Sequence, residues 1–287
     1  MTGYDTLARL VTPPAAPIDA HGDWTAAETA VGVRLPDDYK WLVATYGWGE
    51  FCDFLYLHTP FGVSRYNGVE WQSAHATESA DLGGERYPYP LYPAPGGLLV
   101  WGTTMDADRL CWLTEGEPEE WPVVLWTSEG WYETHRTGAA AFIESWTGGR
   151  VRSRLLGAPE PDLAPWFNTF RPRADRCLRL SEGPLPHDER LRRLRAALAP
   201  TTDRGTWRST YDESGQDHFA TLDADWLLTY DNPHPHQIRI AFPPEDAERV
   251  RRRLYGAAEL MGCRVLEVTT AAGTTLETWD TVTDEDE

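Results

Sequence analysis

Three apolar runs, "GGLLVWGTT", "RLCWLTEG" and "WPVVLWTS", are separated only by "MDAD" and "EPEE", and a fourth, "WYETHRT", returns after Ser128-Glu129-Gly130. β-Branched and aromatic residues dominate these runs, and connections so short join neighbouring antiparallel strands, so the spacing predicts a β-meander. Such a sheet needs a cover for its apolar face. "GAAAFIESW", which follows, supplies one as a helix with Phe142, Ile143 and Trp146 on a single face.

A second helical element precedes the sheet in "TAAETAVGVRLPDDYKWLVATYGWGEF", residues 25–51. Thr25 and Glu28 have capping-box spacing, and Gly32 is placed to end a helix of about two turns in the left-handed conformation. Pro36, with Asp37 and Asp38 behind it, marks a new helix start, because proline's fixed φ suits the first turn and carboxylates favour the positive end of the dipole. Tyr39, Leu42, Val43 and Tyr46 then recur at helical spacing up to Gly47. "FCDFLYLHTP" reads as one strand, and residues 62–95 as a long connection in which Pro88, Pro90, Pro93 and Pro95 exclude regular structure near the end.

At 287 residues the chain exceeds the usual size of one domain. The reading is α+β, with an antiparallel-sheet domain at 1–155, a connector at 156–203 and a smaller α+β domain at 204–287. Within the connector only "PHDERLRRLRAALAP" is helical, with Leu191, Leu194 and Leu198 in register. The last part opens with strands "TWRSTY", "DHFATL", "DWLLTYD" and "QIRIAF". A helix follows at 245–261, with Ala247, Val250, Leu254, Ala257 and Met261 inward and Gly262 as its stop. "CRVLEVTT" and "TTLETWD" finish as strands, and the terminal "TDEDE" as a solvated acidic tail.

Charge narrows the range of partners. The formal net charge is −19; residues 1–155 hold 21 acids against 10 bases and residues 204–287 hold 17 against 8. Both expected domains therefore repel nucleic acid and anionic lipid and favour a basic partner. No apolar run approaches the ~18 residues of a bilayer span and no basic-then-apolar leader opens the chain, so a cytosolic protein is expected. Cys52, Cys111, Cys177 and Cys263 are far apart, which suits reduced core thiols better than a disulfide frame or a zinc site.

Catalytic chemistry finds little footing. "YGWGEF" has Gly-x-Gly without the third glycine, and the chain's single lysine, Lys40, is in no phosphate loop. Cys111, a nucleophile candidate with His58 or His135 as base, lies in an apolar strand that disfavours a thiolate. "DADRL" lacks the loop glycine and terminal glutamate of a calcium loop. In "YDNPHPHQI", His234 and His236 on an extended segment would point to the same side, with Asp231, His218 and Asp217 as neighbours, yet no full zinc set stands at a recognisable spacing. No cofactor or metal is expected. The tryptophans Trp101, Trp112, Trp121, Trp126 and Trp131 occupy strand positions that favour a core over a stacking surface.

Trp24, Glu28, Gly32, Leu35-Pro36, Asp38-Tyr39-Lys40, Tyr46-Gly47 and Gly49, followed by "GGLLVWG", "DRLCWL", "WPVVLW" and "AFIESW", resemble the signature, sheet and final helix of the SUKH superfamily. That group comprises yeast cell-wall-synthesis regulators and bacterial immunity proteins, and the resemblance covers residues 20–150. It implies binding without catalysis, with a protein partner such as a basic toxin domain, nucleases included. It carries no catalytic residues. A regulator or scaffold without a toxin partner is the alternative within the family, and a metal-dependent enzyme in the C-terminal part is the alternative outside it.

The residues themselves suggest two contact regions. Trp48 follows a helix stop beside Glu50 and Asp53, where a loop presents an aromatic anchor in a polar rim. Asp106, Asp108, Glu115, Glu117, Glu119 and Glu120 lie on successive meander loops and, if they share one edge, would steer a basic partner.

Overall fold

The computed structural model describes residues 3–62, 68–81, 89–212, 214–276 and 279. Pro88 and the acidic tail at 283–287 lie outside these described residues. The chain divides into two compact units, Met1–Phe170 and Arg171–Glu287, both mixed α+β with antiparallel sheets. The expected connector at 156–203 does not survive as a connector. Its first part adds a strand to the N-terminal sheet, and its remainder supplies a strand, a helix and the start of a further strand to the second unit.

The first unit contains helices α1 (Gly3–Leu10), α2 (Trp24–Val31), α3 (Asp37–Tyr46), α4 (Val69–Asp81) and α5 (Ala139–Thr147). Its strands are β1 (Gly49–Phe51), β2 (Leu55–Leu57), β3 (Leu98–Thr104), β4 (Arg109–Leu113), β5 (Val123–Trp126), β6 (Tyr132–His135) and β7 (Phe167–Thr169). They form one sheet in the order β6-β5-β4-β3-β2-β1-β7. Leu55, Leu57, Leu99, Trp101, Leu110 and Trp112 point from one face into a core with Tyr39, Leu42, Tyr46, Phe142 and Trp146 of the helices. The opposite face meets α4 through Ala76, which packs with Leu98, Val100, Cys111, Val124 and Trp126.

The expected helix pair forms, with different capping. Asp23 is the N-cap of α2 and accepts the N–H groups of Thr25 and Ala26 at 2.9 and 3.2 Å. Glu28 serves the corner instead: its carboxylate accepts the Leu35 N–H at 2.8 Å and meets Lys40 Nζ at 2.6 Å. Gly32 and Gly47 end α2 and α3 with φ of 90° and 69°. Two signature glycines also mark backbone crossings. A Cβ on Gly47 would lie 2.1 Å from the Ile18 carbonyl oxygen, and one on Gly49 2.2 Å from that of Asn168.

"FCDFLYLHTP" is a hairpin tip plus one strand rather than a single strand. Cys52 and Asp53 both take φ of 55°, and the Phe54 N–H returns to the Phe51 carbonyl at 3.1 Å, the two-residue turn of a tight hairpin. The connection at 62–95 holds α4. Trp101, Trp112, Trp121 and Trp126 are buried as expected, but Trp131 is 62% exposed because it sits in the turn that joins β5 to β6.

The second unit runs β8 (Ala174–Leu180), α6 (His187–Leu198), β9 (Thr201–Arg208), β10 (Gly215–Thr221), β11 (Leu227–Asn232), β12 (Gln237–Phe242), α7 (Ala247–Leu260) and β13 (Val265–Thr269). Its sheet has the order β13-β8-β12-β11-β10-β9. Leu194 and Leu198 of α6 and Val250 and Leu254 of α7 share a core with Leu178, Phe219, Tyr230, Ile238 and Phe242 of the sheet. "TTLETWD" contributes a single bridge, Thr269 to Thr275, rather than a strand among the described residues. This unit is not acidic apart from its end: residues 171–276 hold 16 arginines and 16 acids, whereas residues 1–170 hold 23 acids against 10 bases. No helix among the described residues is long and apolar enough to cross a membrane.

Candidate protein-binding surface

The register of the first sheet brings seven side chains into one transverse row. Asn168, Glu50, Tyr56, Thr103, Arg109, Trp126 and Tyr132 are successive cross-strand partners from β7 to β6. Directly paired residues of antiparallel strands project from the same face, so the row lies opposite the main core. Its β6 end is apolar and covered: Trp126 stacks on Tyr132 with ring centroids 5.9 Å apart, and the Arg109 guanidinium lies 4.5 Å from the Trp126 ring centroid.

The β7 end is different. Trp48 and Phe170, two residues along from Glu50 and Asn168, project from the same face by strand alternation. The Trp48 ring meets Phe170 edge-on at 5.1 Å, and Phe170 meets Tyr56 at 5.3 Å. Three half-buried rings thus surround Glu50, whose Oε1 is 3.4 Å from Asn168 Nδ2. Partial burial, followed by the negative charges of Glu50 and Asp53, pushes the Tyr56 hydroxyl pKa above its ordinary value. Trp48 is therefore a member of an aromatic cluster, packed side-on, and not a lone anchor on a loop.

Asp53 occupies the β1–β2 tip. Its Oδ1 accepts the Trp166 indole N–H at 2.9 Å and an Asn168 amide N–H, so the carboxylate fastens β7 while remaining exposed. Sequence reasoning missed Tyr56, Phe170 and Asn168. Alternation within β2 was a signal for Tyr56, but Asn168 and Phe170 reach the surface only through pairing with a segment read as connector.

The meander carboxylates do not share an edge. Consecutive hairpin loops of an antiparallel sheet leave opposite ends, so Asp106 and Asp108 in the β3–β4 turn are separated from Glu115, Glu117, Glu119 and Glu120 by the length of β4. Asp106 is exposed and lies on the same end as Asp53, since the Met105 N–H donates to the Phe54 carbonyl at 2.9 Å. Asp108 is 6% exposed and accepts the Ser128 N–H at 3.0 Å, which makes it a brace for the next turn. At the far end Glu115, Glu117 and Glu120 are exposed. Glu119 receives both terminal nitrogens of Arg34 at 2.7 and 2.8 Å, and this hydrogen bonding holds its carboxyl below the usual range.

The residues considered for a metal do not converge. His234 is exposed, while His236 is 6% exposed and its Nε2 is hydrogen-bonded with the Tyr230 hydroxyl at 2.9 Å. Asp231 is bound to Arg239 and Gln237, and Asp217 to His187 and Arg208. Among the described residues no group of three or more His, Cys, Asp or Glu is arranged to hold a metal ion. The four cysteines form no disulfide, with Cys111 and Cys263 buried and Cys52 and Cys177 half-buried; burial raises the Cys111 thiol pKa well beyond its usual value.

Residues 21–143 match the SUKH family model described as SMI1-KNR4 cell-wall. The matched region lies wholly within the first unit and ends before β7. No curated protein and no solved structure matches the chain.

Proposed function

We propose that this protein, whose N-terminal region is a SUKH-family domain, is a non-catalytic binding module that neutralises a basic toxin domain. The observation that carries the reading is the group of Trp48, Tyr56 and Phe170 around Glu50, with Asp53 at its border, on a unit whose charge is −13. Aromatic faces and carboxylates together favour an arginine or lysine, which gains cation–π attraction and charge-assisted hydrogen bonds at one place. The acidic field of the same unit accelerates encounter with such a partner and disfavours nucleic acid.

The test is binding between the full chain and the product of the adjacent gene, followed by Trp48→Ala and Glu50→Lys. Loss of affinity in both, with unchanged thermal stability, supports the assignment. Failure of the neighbouring product to bind, together with turnover of a small substrate by the purified chain, overturns it. The description of the matching family favours one second reading, regulation or scaffolding in cell-wall metabolism, which uses the same surface and differs in the partner.

A further inference from the structure

The transverse row that carries Glu50 and Tyr56 also carries a cation. Thr103 follows Tyr56 across β3, and Arg109 follows Thr103 across β4, so Arg109 projects from the same face as Glu50. Its guanidinium lies 4.5 Å from the Trp126 ring centroid, and the residue is half-buried. Among the described residues this guanidinium makes no hydrogen bond and no ion pair, and its nitrogens face solvent. Asp108, its neighbour in sequence, points to the other side of the strand and accepts the Ser128 N–H at 3.0 Å. Arg109 is therefore a planar donor fork, held in place by a ring and open at its edges.

Stacking alone does not call for this residue, because a neutral methylene stem covers an aromatic ring as well. Arg109 stands on a unit whose charge is −13, and a basic partner drawn in by that field meets repulsion at this one point. A carboxylate on the partner replaces the repulsion with a bidentate, charge-assisted contact, for which a guanidinium is the best-matched group. From β1 to β4 the row crosses three strand spacings, so Glu50 and Arg109 are about 14 Å apart.

We propose that Arg109 binds an aspartate or glutamate side chain of the same protein partner whose basic residue is taken by Glu50 and the rings of Trp48, Tyr56 and Phe170. This role rests on the toxin-binding reading of the surface and adds a rule of selection to it. The partner's contact region carries a base and an acid about 14 Å apart, and a uniformly basic surface is rejected.

The test is stopped-flow binding of the full chain to the product of the adjacent gene, with Arg109→Met, Arg109→Lys, Trp48→Ala and Glu50→Lys beside the wild type. The acidic field alone forecasts that removing a cation strengthens the binding of a basic partner. The Arg109 contact forecasts the opposite sign. Arg109→Met should weaken affinity about tenfold or more through faster dissociation, and Arg109→Lys, which keeps the charge but loses the fork, about threefold. Methionine keeps an apolar stem over Trp126, and thermal unfolding of each variant separates a lost contact from a lost fold. Should Arg109→Met fold poorly, Arg109→Lys carries the test. Affinity at or above the wild-type level in either Arg109 variant, while Trp48→Ala and Glu50→Lys weaken binding, overturns the Arg109 contact and leaves the reading of the surface standing. Absence of binding by the wild-type chain removes both.

Discussion

The carboxylate of Asp38 in α3 accepts the backbone N–H of Ala140, in the first turn of α5, at 3.0 Å. Two helices separated by a whole sheet in sequence are thus joined by one capping bond. Burial raises the Asp38 pKa against the lowering effect of that bond, so the charged form is retained at some cost. Asp38→Ala should lower stability by about 1 to 2 kcal/mol, the range for a lost helix cap. Asp38→Asn should lose less, because an amide oxygen still caps and no charge is buried. Urea midpoints of the three proteins check the order.

Tyr39 is fully buried, meets Trp112 edge-on at 5.0 Å and donates its hydroxyl to the His58 carbonyl at 2.8 Å. Tyr39→Ala should destabilise by about 3 to 5 kcal/mol through the cavity it leaves. Tyr39→Phe should cost about 1 to 3 kcal/mol, because only the donor to a buried carbonyl is removed. Denaturant unfolding of both variants separates packing from hydrogen bonding.

His58 sets a pH dependence. Burial lowers its pKa to about 4, from an ordinary value near 6.5. The unfolded chain therefore binds the proton first, and stability falls as pH drops from about 6.5 towards 4 while staying flat above. The loss at the acid end is at most about 3 kcal/mol, from about 1.4 kcal/mol per unit. Unfolding measured at pH 7.5, 6 and 5 should show the slope, and His58→Gln should remove its steepest part.

These residues also show how far local pattern reaches. Gly32, Pro36 and Gly47 punctuate the helix pair because each has a backbone constraint of its own, legible without knowing the fold. The strands at 98–135 are legible for the same reason: short polar breaks between apolar runs allow only hairpins. Illegible were the features created by pairing at a distance. β7 and β8 are short or charged and become strands only against β1 and β12, and Asp108 is buried only because the Ser128 turn folds over it. The candidate surface depends on such pairing: local pattern points to Trp48, Glu50 and Asp53 as candidates, and Tyr56, Asn168 and Phe170 join them only through the sheet. The six meander acids were grouped wrongly because strand direction, which decides which end a loop occupies, is a property of the sheet.

Association and dissociation of a basic partner should respond to different residues. Glu117→Lys with Glu120→Lys leaves the Arg34 pair of Glu119 intact, and should slow association and reduce its salt dependence with little change in dissociation. Trp48→Ala should act mainly on dissociation, as loss of a packed aromatic contact does. Stopped-flow mixing at two ionic strengths distinguishes the two. Equal effects of both variants on dissociation would remove the steering role of the far-end acids.

The β1–β2 tip supplies a test of why Asp53 is retained. Cys52 and Asp53 both sit at φ of 55°, where a side chain other than Asn, Asp or Gly is strained by about 1 kcal/mol, and the turn favours Asn-Gly. Cys52→Asn should therefore stabilise by about 0.5 to 1 kcal/mol, since the Cys52 backbone N–H to Trp166 survives the change. Turn preference alone makes the same forecast for Asp53→Gly. The bonds from Trp166 and Asn168 oppose it: removing their acceptor should free β7 and leave Asp53→Gly less stable than wild type, with faster amide exchange at 166–170. If Asp53→Gly is as stabilising as Cys52→Asn, the carboxylate does not hold β7, and Asn168 and Phe170 owe their places on the surface to strand pairing alone.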